Sequence, residues 1–123
     1  RTAGAVPDVL AVAGGHSLIR YGLLAALEAV EPGGLLPCPV VGYRINVQPP
    51  TWARRVRTVA GLDRLPGAPT VQSVNLLRKD GDAVDWRLGT DEMVVAVVGA
   101  AASMDELADV RRRVLATISI DYE

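Results

Sequence analysis

The chain has 123 residues, 50% of them apolar and 22% charged, with 13 basic groups against 14 acidic ones. A chain of this size holds one core, so it is a single domain or a piece of something larger, and a two-domain enzyme is excluded. That composition and charge balance resemble neither a disordered tail nor a polyanion-binding surface, the net charge of -1 gives no steering field, and no run of ~18 uncharged apolar residues is present to cross a bilayer.

In chain order, Pro7 suits the first turn of a helix from Val6 to Ala13, and Gly14-Gly15 suits its end. Ser17 can cap a second helix, in which Leu18, Tyr21, Leu24 or Ala25 and Leu27 recur on one face until Glu31-Pro32-Gly33-Gly34 breaks the pattern. Those glycines, with Pro37 and Pro39, mark a linker. The chain therefore divides into a helical part, 1–34, and a sheet part, 35–123.

From Val40 the period changes to two. Val41, Tyr43, Ile45 and Val47 alternate with Gly42, Arg44, Asn46 and Gln48 until Pro49-Pro50, which reads as a half-buried strand. Ala53 to Ala60 follows as a second strand, with Arg55 and Arg57 expected on one face and Arg54, Val56 and Thr58 on the other. After a turn segment, Gly61 to Gly67, the stretches Val71 to Arg78 and Ala83 to Arg87 are expected to pair as a hairpin, because Asp80-Gly81 supplies the positive-φ residue that such a turn needs. Glu92 to Val98 is nearly all apolar and fits a central strand covered on both faces. Ser103-Met104-Asp105-Glu106 is a capping box opening a helix whose stripe is Leu107, Val110, Val114 and Ile118. Arg111, Arg112 and Arg113 are expected near its end, where the macrodipole favours cations. Ile118 to Tyr122 closes the chain as a short strand. The fold class is α+β: an N-terminal helix pair, a linker, then a mostly antiparallel sheet with one covering helix.

Chemistry is sparse along this framework. Lys79 is the only lysine, His16 the only histidine and Cys38 the only cysteine, so no internal disulfide and no zinc-type ligand spacing exist. A reducing, cytoplasmic setting is the default. There is no nucleophile elbow, no phosphate loop ending in Gly-Lys-Ser/Thr and no dinucleotide glycine fingerprint. The chain opens Arg1-Thr2-Ala3 without Met, and Arg1 is expected not to be a natural start.

Three stretches together resemble the C-terminal portion of an ATP-grasp ligase of the carboxylate–amine, or amino-acid ligase, type. Arg1-Thr2-Ala3-Gly4 looks like the arginine and small residues that close a Glu-x-Asn-x-Arg motif. Val6 to Val30 is similar to the two helices that follow it, with Gly15-His16-Ser17 at the break. The rest is similar to the family's terminal lobe: a strand like Gly42-Tyr43-Arg44-Ile45, a proline-bearing loop, a Val-x-Gly-Leu segment at Val59-Ala60-Gly61-Leu62, a hairpin, and a strand and helix like Val94 to Leu115. The resemblance implies that 1–34 is the helical tail of an ATP-grasp nucleotide-binding domain and 35–123 the C-terminal antiparallel-sheet lobe.

It also implies a function. In such ligases ATP phosphorylates a carboxylate, an amine attacks the acyl phosphate, and Mg²⁺ screens the phosphates. Arg1 would offer its planar donor fork to the substrate carboxylate or the acyl phosphate, and His16 is the second residue implied at the substrate side. The metal-binding carboxylates, the phosphate-covering glycine loop and the adenine-contacting segment are not in this sequence. ATP and Mg²⁺ are therefore expected to bind mainly to an upstream ATP-grasp domain, and the isolated chain is expected to be inactive. No catalytic residue and no metal ligand are assigned within it.

Other residues weigh toward ordinary roles. His16 at a helix start also suits capping or the surface. Arg54, Arg55 and Arg57 near Trp52 could track a single nucleic-acid strand, but near-zero net charge favours a sheet edge guarded by charge, so no nucleic-acid partner is expected. Cys38 lies between two prolines with no activating base. Trp52 and Trp86 read as core or sheet-covering residues. Asp80, Asp82 and Asp85 lack the remainder of a calcium loop. The competing class is a non-catalytic α+β module for homodimerisation or regulation.

Overall fold

The computed structural model describes residues 40–67 and 70–123, together with Val9, Ala11, Val12, Ala26 and Leu27. Those five apart, the helix pair expected over 6–30 and the linker at 31–39 lie outside the described residues, as do Arg1, His16 and Cys38.

The ordered elements are β1 (Val41–Val47), β2 (Val56–Ala60), β3 (Ser73–Leu76), β4 (Val95–Ala101), α1 (Met104–Thr117) and β5 (Ser119–Tyr122), with 3-10 turns at Leu62–Arg64 and Trp86–Glu92. Every strand pairing is antiparallel. One sheet has the order β1-β4-β3 and the other pairs β2 with β5. The α+β class with an antiparallel framework and one helix is thus found over the described residues.

The central strand expected from the apolar run is β4, displaced three residues toward the C-terminus. All seven of its residues are buried, and β1 and β3 hydrogen-bond both its edges. On one face Tyr43, Ile45 and Val47 stand opposite Gly99, Val97 and Val95, and α1 packs on β1 and β4 there with Val110 and Val114 fully buried. Val56, Val84, Val94 and Ile118 join the same core. Each valine fully buried in this way contributes about 1.5–3 kcal/mol of apolar transfer.

The capping box forms, with one change. Ser103 Oγ accepts from the Glu106 amide at 3.2 Å, while Glu106 Oε2 reaches past the cap to accept from the Ala102 amide at 2.6 Å. The helix runs to Thr117, so the three arginines fall a turn short of its end and no basic residue occupies the last turn. The macrodipole reading of Arg111–Arg113 is therefore corrected: Arg112 instead binds Asp109 three residues earlier at 2.5 Å.

Two expected pairings are also corrected. The turn at Lys79–Asp82 is present: the Asp82 amide donates to the Lys79 carbonyl at 3.0 Å and Gly81 has φ 90. However, its two arms do not pair with each other. β3 adds to β4, which needs a second partner for its free edge, while the segment after the turn lies along β2 through the Arg55–Ala83 bridge and the bond from the Val56 amide to the Asp82 carbonyl. In β2 the register against β5 shifts between Val56 and Thr58, so Arg57 is an extra residue, a bulge. The bulge breaks the expected alternation. Val56 and Val59 turn to the core, and Arg57 and Thr58 both turn outward.

Candidate functional site

Among the described residues Arg55, Arg57, Arg78 and Arg44 occupy three settings, and each setting decides what the cation can do. The first is an open groove of about 470 Å³ along β2 and β5, lined by Arg55, Val56, Arg57, Thr58, Gly81, Asp121 and Glu123. Arg55 Nε lies 3.2 Å from Glu123 and Arg57 3.7 Å from Asp121, and Arg55 also donates to the Gly81 carbonyl at 2.7 Å. Both ion pairs are more than half exposed, where such pairs add at most about 1 kcal/mol. Their carboxylates oppose any polyanion, so the groove fits the charge-guarded edge rather than a nucleic-acid track.

The second setting is Arg78 with Glu92. The Glu92 carboxylate, 7% exposed, accepts from Arg78 at 3.0 Å and from the Asp85 amide at 3.5 Å. That hydrogen bond pushes the pKa of Arg78 above its ordinary value. The pair is committed to anchoring the chain ahead of β4.

The third setting is Arg44 on β1. Its side chain is partly buried, its Nε is buried without any hydrogen-bond partner, and one terminal nitrogen lies 3.8 Å from the sulfur of Met93. No carboxylate pairs with it among the described residues. Sequence reading placed Arg44 among the polar positions of a half-buried strand and gave it no role. The only signal there was one cation set between apolar neighbours.

The acidic residues are occupied locally. Asp80 accepts from the Val59 amide, Asp82 from the Lys79 amide and Asp85 from the Arg87 amide. No group of three or more His, Cys, Asp or Glu side chains that could hold a metal ion occurs among the described residues. Trp52 and Trp86 do not enter the core. They are 61% and 45% exposed, and Trp52 stands edge-on to Tyr122 with ring centroids 6.1 Å apart. No described helix is long and apolar enough to cross a membrane.

This architecture, an antiparallel sheet with a covering helix, has counterparts within larger enzymes. The chain is similar to an L-amino acid ligase from Bacillus licheniformis, with a TM-score of 0.79 at 14% identity over 99% of this chain and 30% of that one. It is also similar to a phosphoribosylglycinamide synthetase from Anaerococcus prevotii, with a TM-score of 0.71 at 9% identity over 97% of this chain and 30% of that one. Both are ATP-grasp enzymes, and this chain has the fold of a part of them. At these identities the likeness is one of fold, and the chain spans less than a third of either neighbour. The sequence matches no protein-family model and no curated protein.

Proposed function

We propose that the chain is the C-terminal lobe of an ATP-dependent ligase that joins a carboxylate to an amine through an acyl phosphate, with 35–123 as the sheet lobe and 1–34 as the helical tail of the nucleotide-binding domain. The observation that carries this reading is the fold likeness over 99% of the chain to part of an L-amino acid ligase. In this reading ATP and Mg²⁺ are held mainly by an upstream ATP-grasp domain, Arg1 and His16 lie at the substrate side, and the setting is cytoplasmic.

The test uses the chain joined to an upstream ATP-grasp domain. With ATP, Mg²⁺ and a panel of amino acids, ADP should form only when a carboxylate substrate is present. Hydroxylamine in place of the amine should trap the acyl phosphate as a hydroxamate. ADP formation indifferent to the carboxylate, or full turnover after deletion of 35–123, would overturn the reading.

One observation favours the competing dimerisation module. Leu76 and Leu77, at the end of the edge strand β3, are 45% and 40% exposed. Sedimentation of the 123-residue chain with and without ATP and Mg²⁺ separates the two readings. A compact dimer indifferent to nucleotide supports the module.

A further inference from the structure

We propose that Arg44 is the centre of an oxyanion-binding site on the face of the β1-β4-β3 sheet opposite α1, built for the carboxylate or phosphate group of a small molecule. The register places its parts. Arg44 stands opposite Val98, which in turn stands opposite Ser73. Asn46 stands opposite Ala96, and Ala96 opposite Asn75. Directly opposed residues of antiparallel strands share a face, so this side of the sheet carries one guanidinium, two amides and a hydroxyl around Ala96 and Val98, which are themselves buried. Asn46, Ser73 and Asn75 are exposed, and none of their side chains makes a hydrogen bond among the described residues. Contact with Met93, which precedes β4, shows that the Arg44 side chain runs along the sheet toward the Asn46–Ala96 end.

The energetics point to a ligand. A lysine in such a place can shed its proton, but a guanidinium stays charged at any accessible pH. Burying a charged donor without a partner destabilises the fold, and more strongly than for a neutral group. The thioether of Met93 is a weak acceptor and does not compensate. A planar oxyanion would do so, because the guanidinium fork matches carboxylate and phosphate geometry and the neighbouring amides can complete the shell. Arg55, Arg57 and Arg78, by contrast, are each paired with a carboxylate. The inference does not depend on the chain belonging to a ligase, so either can fail without the other.

The experiment is a titration of the 123-residue chain with inorganic phosphate, acetate and chloride, followed by the ¹H–¹⁵N signal of Arg44 Nε and by thermal unfolding. Phosphate or acetate should shift the Nε signal saturably and raise the unfolding midpoint by a few degrees, with chloride inert at equal ionic strength. The phosphate and acetate arms identify which oxyanion the site prefers. Arg44→Gln should unfold no earlier than the parent chain in chloride and should lose the anion-dependent rise, while Arg44→Lys should bind at least several-fold more weakly. Absence of a saturable shift with both anions, or an undiminished rise in Arg44→Gln, overturns the proposal. If Arg44→Gln does not fold, the Nε titration of the parent chain decides.

Discussion

Tyr43 and Gly99 form a pair in which each residue explains the other. They stand opposite one another in the β1–β4 ladder, and the Tyr43 hydroxyl crosses above Gly99 to donate to the Thr70 carbonyl. A Cβ at position 99 would lie 2.6 Å from that hydroxyl and 2.8 Å from ring carbon Cζ, and it would strike the Thr70 carbonyl as well. Backbone on one side and a buried ring on the other leave little room to yield. Gly99→Ala is expected to destabilise the chain by about 2–3 kcal/mol, in the range of overpacked cores, as read from denaturant midpoints at unchanged m-value.

The same tyrosine gives a pH dependence. Burial, with the Glu106 charge adding to it, holds the Tyr43 phenol above its ordinary pKa of 10.0, and burial does the same for Tyr122. The folded state therefore resists ionisation more than the unfolded one. The stability this represents is complete below the unfolded pKa and is lost as pH rises through the raised folded values. Tyr43→Phe should cost about 1 kcal/mol at neutral pH through the lost hydrogen bond, yet it should lose stability less steeply than the parent chain above pH ~10. Unfolding curves on both sides of that pH check the sign, and an unchanged alkaline slope would contradict it.

Among the elements, α1 shows how much a short motif controls. Ser103 and Glu106 satisfy two amides at its start, and the stripe Leu107, Val110 and Val114 faces the sheet. Ser103→Ala should cost about 1 kcal/mol, whereas Arg112→Ala, which removes only an exposed pair with Asp109, should stay within about 0.5 kcal/mol. Thermal melts of the two variants side by side test that ranking. β2 shows the opposite case. Its bulge at Arg57 lets Val56 and Val59 both reach the core three residues apart, a spacing that a regular strand cannot give.

For the whole molecule, β5 ties the last residues back across the chain. The amides of Arg54 and Arg55 donate to the Glu123 carbonyl at 2.7 and 3.0 Å, and the Glu123 amide returns a bond to Arg55 at 3.0 Å. Ile120 and Tyr122 pack against the core. Removing 119–123 strips β2 of that partner, and the expected loss is about 3 kcal/mol from apolar exposure alone, visible as an earlier and broader thermal transition. A transition unchanged in midpoint would mean that the second sheet adds nothing to the cooperative unit.

Local interactions made part of this protein readable in advance. Period-two alternation located β1, the serine and glutamate three apart located the start of α1, the Asp-Gly pair located a turn, and unbroken apolarity marked β4 as central. Each depends on residues within a few positions of one another. The tertiary structure alone decided that β3 joins β4 instead of the segment after its own turn and that β2 carries a bulge. It also left Arg44 beside Asn46, Ser73 and Asn75 without a counter-charge among the described residues. Strand pairing and burial are set by competition among partners tens of residues apart for the same hydrogen bonds and the same core, and no local spacing encodes which partner wins.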